Sequence, residues 1–501
     1  MPCVVKKILH FSDVHLNLSL SLDAADSAMM PFHYGQDAPV TLLESALQYA
    51  QLVLPEPDLF LHTGDHVAHG VFSDAYVAKA VEVNVQTMHK YFSPNSTHMR
   101  ETTAILGNND ANPNYYMELT NPDVDANPTI AKVSSAWNDT LSASDFTNFN
   151  RRGYFSYELD DRLLVLTLNT IPYAPKHAPN TQAVEDPFGQ FVWLETTLEG
   201  LKQQGRFVYI TGHIPPIVDS FDTEPQCYIE RYKKIVGKYP DVVKAQLFGH
   251  VQSVEMRILP AKPRALSASS SADEGFQLIS LFVSGSISPY FTTNPSFMVW
   301  DYDADTYEVV DFMVYGTHIS GKNQKLDWQR LFKGSEAYGL KSLTTSDLTE
   351  FYERAKTNGT LLDAYYANMR AQSKRFEPCA SDLCRANTLC SMKWWTTKGE
   401  YLACVHGVQS SIRNPPPPPL DNNNTSALNG KNNHGHGELT HDGSVAFVMV
   451  AFAAVVVVVA AVIVRRLRRA RSGNETDQRD FFDSASPIAV GGRESGASMH
   501  V

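Results

Sequence analysis

Apolar segments that end in polar residues recur along the first half of the chain, and stretches with helical spacing separate them. Each segment is rich in β-branched or aliphatic residues, as buried strands are. Strands that alternate with helices are typical of a layered α/β domain. The predicted strands are VVKKILHFSD, DLFLHTGD, TTAILGNND, RLLVLTLNT, RFVYITGH and VVKAQLFGH.

Helical spacing between these strands predicts helices over residues 40–54, 74–91, 191–205 and 227–239. After them, FQLISLFVSGSISPYF and FMVWDYDADTYEVVDFMV predict antiparallel strands with a DAD turn. Helical patterns then extend over residues 326–372. With 43% hydrophobic residues, the chain has enough apolar side chains for a large core.

The formal net charge of −12 argues against a protein whose surface is a nucleic-acid footprint. No specific nucleic-acid partner is therefore expected, and no feature of the sequence indicates an oligomeric state. A polyanionic substrate must be held by a local cluster of side chains.

Residues 445–464 contain neither a charged residue nor Pro. At about 1.5 Å per residue they can cross a hydrocarbon core of about 30 Å, which predicts one transmembrane helix. Arg465, Arg466, Arg468, Arg469 and Arg471 follow at once, which disfavours a buried core helix and predicts a cytosolic tail. We therefore expect a single-pass type I membrane protein. Because MPCVVKKILHFSDVH has no apolar signal region, we expect either a truncated start or targeting by the C-terminal helix.

The sequons and the cysteines agree with a lumenal or extracellular domain. Four of the six cysteines lie within 26 residues, which predicts a disulfide-stapled module in an oxidising compartment. A zinc ribbon is the alternative, although the tight C-x2-C pairs of such sites are missing. These cysteines are Cys379, Cys384, Cys390 and Cys404. The predicted glycosylation sites are Asn17, Asn95, Asn138, Asn358, Asn423 and Asn424.

Composition divides the chain into five predicted regions. An α/β domain over residues 1–315 precedes a helical, Cys-containing subdomain over residues 316–407. A stalk rich in Pro, Asn, His and Gly covers residues 408–443 and is too polar to fold. The transmembrane helix over residues 444–464 and the cytosolic tail over residues 465–501 complete the chain.

Five predicted strands end in residues that bind metals. Loops at strand carboxyl ends of an α/β sheet are where ligands converge. Asp, Asn and His suit Zn, Mn or Fe, and two such ions bridged by one carboxylate would hold a hydroxide in line with a phosphorus atom. The motifs are Asp13-x-His15, Gly64-Asp65 with His69 four residues on, Gly107-Asn108-Asn109-Asp110, Gly212-His213 and Gly249-His250.

In this order the motifs resemble the calcineurin-like metallophosphoesterase superfamily. GHIPP, LNT, WLETTL, NPSF and the Cys-containing tail resemble, more narrowly, its acid sphingomyelinase-like phosphodiesterase and endopolyphosphatase branch. The resemblance covers about residues 8–404. It implies a four-layer α/β sandwich of two mixed β-sheets flanked by helices. It also implies a lysosome-like or acidic vacuolar compartment, with the cell surface as the alternative.

The resemblance implies two divalent metal ions, with Zn expected and Mn, Fe or Mg as alternatives. It implies that His69 faces the phosphate, although a surface histidine at the start of a helix is the alternative interpretation. The implied ligands are Asp13 and His15 for the first ion, Asp65 as the bridge, and Asn108, His213 and His250 for the second ion.

Two residues depart from the pattern of most of this family. Asn109 occupies the position of a histidine that protonates the leaving oxygen, and Asn cannot act as a general acid. Gln252 occupies the position of a histidine ligand of the first ion, where it offers only a neutral carbonyl oxygen. GNND and GHVQ resemble the endopolyphosphatase branch in this respect.

These residues predict a binuclear metal hydrolase of phosphoanhydride or phosphodiester bonds, endopolyphosphatase-like or nucleotide phosphodiesterase-like, that uses metal-bound hydroxide. The expected substrate is a phosphate-containing small molecule or polyphosphate. An anhydride leaves as a phosphate that needs little protonation, so the loss of the acid costs less there. A sphingomyelin phosphodiesterase is one alternative, and a catalytically weak binding or receptor-like ectodomain is the other.

Overall fold

The computed structural model describes residues 4–20, 33–93, 100–124, 126–179, 184–218, 226–258, 279–319 and 326–413. The predicted stalk beyond residue 413, the apolar segment over residues 445–464 and the tail lie outside these ranges, as do Asn95, Asn423 and Asn424. Within the described ranges, no helix has the length and the apolar composition needed to span a membrane.

The described residues contain twelve β-strands. Their bounds are β1 Val5–Phe11, β2 Leu59–His62, β3 Arg100–Thr102, β4 Phe155–Glu158, β5 Leu163–Leu168, β6 Phe207–Gly212, β7 Val243–Phe248, β8 Glu255–Arg257, β9 Leu281–Val283, β10 Ser296–Asp303, β11 Val309–Gly316 and β12 Gln329–Lys333. They form two six-stranded sheets, in the orders β12-β11-β10-β1-β2-β3 and β4-β5-β6-β7-β9-β8. Each sheet is mixed, because the neighbours within β1-β2-β3 and within β5-β6-β7-β9 pair in parallel, whereas all the other neighbouring strands pair antiparallel.

Helices occupy the connections between strands and most of the C-terminal part. Their bounds are α1 Val40–Val53, α2 Asp74–Tyr91, α3 Pro128–Ala131, α4 Ala143–Arg152, α5 Gln190–Gln204, α6 Gln226–Val236, α7 Gly334–Tyr338, α8 Thr345–Thr357, α9 Gly359–Met369, α10 Asp382–Ser391 and α11 Lys398–Arg413. The predicted helices over residues 40–54, 74–91, 191–205 and 227–239 correspond to α1, α2, α5 and α6.

Both faces of the central strands are apolar, and the two faces belong to different cores. Along β1, Ile8 packs in the cluster shared by the two sheets, whereas Leu9 and Phe11 pack with the apolar face of α1. Along β5, Leu163 joins the shared cluster and Leu164 packs with residues of α5 and α6. Because side chains alternate along a strand, two apolar faces require a covering layer on each side. The result is two mixed sheets flanked by helices, as predicted.

Two segments differ from the sequence prediction. In TTAILGNND the strand ladder ends at Thr102, and residues 103–107 lie outside any strand although they are buried. The prediction of helical structure from residue 326 onward is wrong at the start of this segment, because β12 forms there and pairs with β11. Phe332 of β12 packs edge-on against Phe312 of β11, and this tertiary contact outweighs the local helical pattern.

The C-terminal cysteines form two disulfide bonds, Cys379–Cys384 and Cys390–Cys404. The second bond joins α10 to α11. The prediction of a disulfide-stapled module is therefore confirmed. Of the described sequon residues, Asn138 and Asn358 are exposed and Asn17 is half-buried.

Candidate metal centre

Four loops at strand carboxyl ends bring most of the predicted ligands together, and the segment after β3 adds Asn108. The first sheet supplies Asp13 and His15 after β1 and Asp65 after β2. The second sheet supplies His213 after β6 and His250 after β7. The parallel strands of both sheets thus end at one edge of the sandwich, as ligand sites in α/β folds require.

The backbone of this edge adopts a conformation that side chains other than glycine rarely accept. Asp13, His15, Asp65, His250 and Gln252 have φ angles of 50°, 47°, 57°, 72° and 55°. Each left-handed residue of this kind costs about 1 kcal/mol or more. Strain concentrated on five predicted ligands indicates that the loops are shaped for the site rather than for stability.

Two glycines allow ligand carboxylates to pack directly against the backbone. A Cβ on Gly107 would lie 2.2 Å from the Asp65 Oδ1 atom, and a Cβ on Gly249 would lie 2.8 Å from the Asp13 Oδ2 atom. A larger residue at either position would push a carboxylate out of place.

Asp65 lies at the middle of the cluster. Its Oδ2 atom is 3.4 Å from His15 Nε2 and 3.3 Å from His213 Nε2. This is the position expected of a bridging carboxylate. We call the side containing Asp13, His15 and Gln252 the first half of the centre, and the side containing Asn108, His213 and His250 the second half.

In the first half, His15 Nδ1 lies 3.1 Å from the Val67 carbonyl oxygen, to which it donates. The lone pair of Nε2 therefore faces the cluster. The Gln252 amide nitrogen lies 2.8 Å from this Nε2. Asp13 Oδ2 accepts from the Ser12 hydroxyl and from the His250 backbone N–H, while Asp13 Oδ1 and Gln252 Oε1 are buried without a hydrogen-bond partner among the described residues.

In the second half, His213 Nδ1 lies 2.7 Å from the Thr63 carbonyl oxygen, so that Nε2 again faces the cluster. This Nε2 is 3.1 Å from Asn108 Oδ1 and 3.3 Å from His250 Nδ1. Asn108 also donates its amide to Asn114 Oδ1 over 3.0 Å, which orients its carbonyl oxygen toward His213.

The donor set fits two divalent cations that share Asp65. Ligand atoms of Asp13, His15 and Asp65 lie within 4.8 Å of one another, and those of Asp65, His213 and His250 do so as well. Although burial lowers the pKa values of His15 and His213, neighbouring carboxylates, Asp65 above all, outweigh burial and raise each to about 9. A site that stabilises positive charge this strongly suits cations, and its unpartnered oxygens suit ligation.

Asn109 is directed at Asp65. Its backbone N–H donates to Asp65 Oδ1 over 2.8 Å, and its side-chain amide donates to Oδ2 over 2.9 Å. Asp110, next in the chain, accepts backbone N–H groups of Asp65, His66, Val67 and Gly107. Asp110 therefore joins the loop after β2 to the loop that carries Asn108.

His69 lies beside the first half, between two aromatic rings. Its ring stacks on His15 and on Tyr290 with centroids 4.0 Å away in each case. Its Nδ1 is 2.8 Å from Asp37 Oδ1, and its backbone N–H donates to Asp37 Oδ2 over 2.9 Å. Asp37 was not found from the sequence, because it stands in a loop before α1 with no pattern of its own.

Comparison with known proteins supports the same interpretation. Residues 6–253 match the family model described as calcineurin-like phosphoesterase. Residues 277–411 match the model described as acid sphingomyelin phosphodiesterase C-terminal region. The chain therefore belongs to the calcineurin-like metallophosphoesterases, with an acid sphingomyelinase C-terminal region joined to the catalytic domain, and it is a metal-dependent phosphoric ester hydrolase by family.

Its relatives include acid sphingomyelinase-like phosphodiesterases. The mouse acid sphingomyelinase-like phosphodiesterase 3b is 24% identical over 80% of this chain and 90% of its own length. Sphingomyelin phosphodiesterase A of Dictyostelium discoideum is 25% identical over 79% of this chain and 67% of its own. A human cyclic GMP-AMP phosphodiesterase is 25% identical over 76% of this chain and 84% of its own.

Proposed function

We propose that the chain hydrolyses phosphodiester or phosphoanhydride bonds whose leaving group needs little protonation, as in nucleotides and related small phosphates. The observation that carries the proposal is the environment of Asn109, whose amide donates a hydrogen bond to Asp65 and is too weakly acidic to protonate a leaving group. A substrate with a low-pKa leaving group tolerates this loss.

Divalent ions, when bound, supply an activated water and neutralise charge on the phosphate. Asp65, Asp13, His15, Asn108, His213 and His250 would hold them, with Gln252 as a further oxygen donor in the first half. The Val67 and Thr63 carbonyl groups fix the ring orientation of His15 and His213, and this keeps their Nε2 lone pairs directed at the site.

His69 is the side chain that we assign to the substrate phosphate. Asp37 accepts from its Nδ1, so that the protonated ring would donate Nε2–H to a phosphate oxygen. Burial lowers the pKa of His69, and the stacked His15 adds to this effect, while Asp37 opposes both. A small protonated fraction at neutral pH makes His69 a poor replacement for the missing acid, which again favours good leaving groups.

A second candidate is hydrolysis of a lipid phosphodiester such as sphingomyelin. It is supported by the names of several relatives, among them sphingomyelin phosphodiesterase A of Dictyostelium discoideum. Its alkoxide leaving group needs a proton, so this activity requires His69 to act as the acid at low pH.

The test is a substrate panel with the full-length protein, loaded with Zn²⁺ or Mn²⁺. The panel contains bis-p-nitrophenyl phosphate, ATP, long-chain polyphosphate, a cyclic dinucleotide and sphingomyelin. We expect rates on the activated ester and the nucleotides to exceed the sphingomyelin rate by about 10²-fold or more, which is the low end of a general acid's contribution. Faster sphingomyelin hydrolysis would select the second candidate, and metal binding without any turnover would select a binding ectodomain.

We further propose a type I membrane topology with the catalytic domain in the lumen or outside the cell. Residues 445–464 and the arginines after them support it, as do the two disulfides and the exposed Asn138 and Asn358. Glycosidase should lower the mass of the expressed protein, and protease added to sealed vesicles should remove only the C-terminal tail. Digestion of the catalytic domain with a protected tail would reverse this orientation.

A further inference from the structure

The two halves of the metal centre offer unequal donor sets. The first half presents one imidazole with oxygens of Asp13, Asp65 and Gln252. The second half presents two imidazoles, of His213 and His250, with oxygens of Asp65 and Asn108. Imidazole nitrogen suits Zn²⁺, whereas carboxylate and carbonyl oxygens suit Mn²⁺ and Mg²⁺.

We propose that Gln252 is an oxygen ligand that makes the first half a weak zinc site, which exchanges its ion and accepts Mn²⁺, while the second half retains Zn²⁺. The inference rests on the two-metal centre of the proposed function. It adds that the ion of the first half is the one that exchanges, and that Gln252 is the residue responsible.

The orphaned oxygens of the first half point to ligation by Gln252. Gln252 Oε1 and Asp13 Oδ1 are buried without hydrogen-bond partners among the described residues, and the residues are 2% and 0% exposed. An unsatisfied buried polar atom costs about 1–3 kcal/mol, so two in one half need a compensating interaction. A cation in the first half would supply it for Asp13 Oδ1 directly and for Gln252 Oε1 after a half-turn of the amide.

The contact with His15 places the Gln252 amide at the lone pair of a predicted ligand. Its nitrogen lies 2.8 Å from His15 Nε2, whose ring proton is committed to the Val67 carbonyl oxygen on the other side. The two ends of an amide have the same shape, so a half-turn would direct Oε1 at the same place. The φ of 55° at Gln252 is a left-handed conformation that non-glycine residues adopt at an energetic cost, and such conformations cluster at functional sites.

The test counts ions in the full-length protein after exchange. Zinc-loaded protein is dialysed against a weak chelator in excess Mn²⁺, and the ions are measured by mass spectrometry and, for Mn²⁺, by electron paramagnetic resonance. Wild type should keep one Zn²⁺ and gain one Mn²⁺ per chain. Gln252→His should keep two Zn²⁺, because a second imidazole raises the zinc affinity of the first half at least about tenfold.

Two further variants separate ligation from other effects. Gln252→Ala removes the oxygen and should lose the Mn²⁺ while it keeps one Zn²⁺ and the wild-type circular dichroism spectrum. Gln203→His makes the same substitution on the exposed face of α5 and should behave as wild type. Retention of Mn²⁺ by Gln252→Ala, or of two Zn²⁺ by wild type, would overturn the assignment.

Turnover of bis-p-nitrophenyl phosphate, measured on the same samples, separates this inference from the proposed function. An active protein that keeps two Zn²⁺ refutes the difference in zinc affinity between the two halves but leaves the proposed function intact. A protein that binds no metal and hydrolyses nothing refutes the proposed function and this inference together.

Discussion

The two halves of the metal centre differ in how completely their polar atoms are used. In the second half, His213 contacts both Asn108 and His250, and Asn108 donates to Asn114. In the first half, two buried oxygens have no hydrogen-bond partner in the part of the chain that the structure describes, and the neighbouring His69 is held from outside by Asp37. The second half is thus preorganised by its own side chains, whereas the first half depends on its ion and on residues around it.

The largest effect is expected where the halves meet. Asp65→Asn removes the charge that both ions would share, so turnover should fall by about 10³-fold or more, whereas His15→Ala acts chiefly on the first half. Rates on bis-p-nitrophenyl phosphate measure this loss. Asp241→Asn, on the exposed surface, is the matched control and should keep wild-type activity. Full activity of Asp65→Asn would mean that the bridge is misassigned.

Asn109→His tests whether the centre lacks a general acid, by comparing substrates whose leaving groups do and do not need a proton. A positioned acid contributes about 10²- to 10⁴-fold only where the leaving oxygen needs a proton, so alkyl phosphodiester rates should rise by up to about 10²-fold. Rates on ATP and on bis-p-nitrophenyl phosphate should change little. An equal gain on all substrates would show that the side chain acts on the metals instead.

Asp37→Asn tests whether Asp37 positions His69 beside the first half of the centre. The Asp37 carboxylate accepts both the ring and the backbone N–H of His69, so its loss frees the ring. We expect kcat to fall by about 10- to 100-fold, with KM and metal content near wild type. Asp37→Glu should recover part of the rate. A loss of metal with unchanged kcat per bound ion would make Asp37 a ligand instead.

The smallest effect concerns His10 of β1, beneath the first half. Burial lowers the pKa of His10 to about 3, and the neutral ring is held between Trp300 Nε1 and Thr63 Oγ1. Because the unfolded chain takes up this proton near pH 6.5 and the folded chain does not, stability is full above that pH. It is lost on acidification by about 1.4 kcal/mol per pH unit down to about pH 3.

His10→Gln should therefore flatten the pH dependence of the free energy of unfolding between pH 6 and about pH 4. Urea titrations of both proteins at several pH values measure the difference. Parallel curves would show that His10 is already protonated in the folded protein.

The sequence was sufficient to predict those strands and site residues that a short, local motif identifies. Apolar runs ending in Asp or His located four strands, β1, β2, β6 and β7, and the structure brings Asp13, His15, Asp65, Asn108, His213 and His250 into one cluster. It was insufficient where partners are distant in the chain. Asp37 meets His69 only through tertiary folding, and β12 is a strand because β11 lies beside it.

The contacts of individual side chains, too, could be identified only from the three-dimensional structure. The sequence shows that Asn109 departs from the family pattern. It does not show that the Asn109 amide donates a hydrogen bond to Asp65. The left-handed backbone at Gln252 and the unpartnered Oε1 atom depend on the loop after β7, which no periodicity predicts.

The most direct test of the account is the number of divalent ions bound by the full-length protein. Equilibrium dialysis with Zn²⁺ followed by elemental mass spectrometry should give two ions per chain for wild type. Asp65→Asn should give fewer than one, because the two groups of ligands share this carboxylate. Wild-type protein that binds no ion, or an Asp65→Asn variant that keeps two, would contradict the two-metal centre on which the proposed function depends.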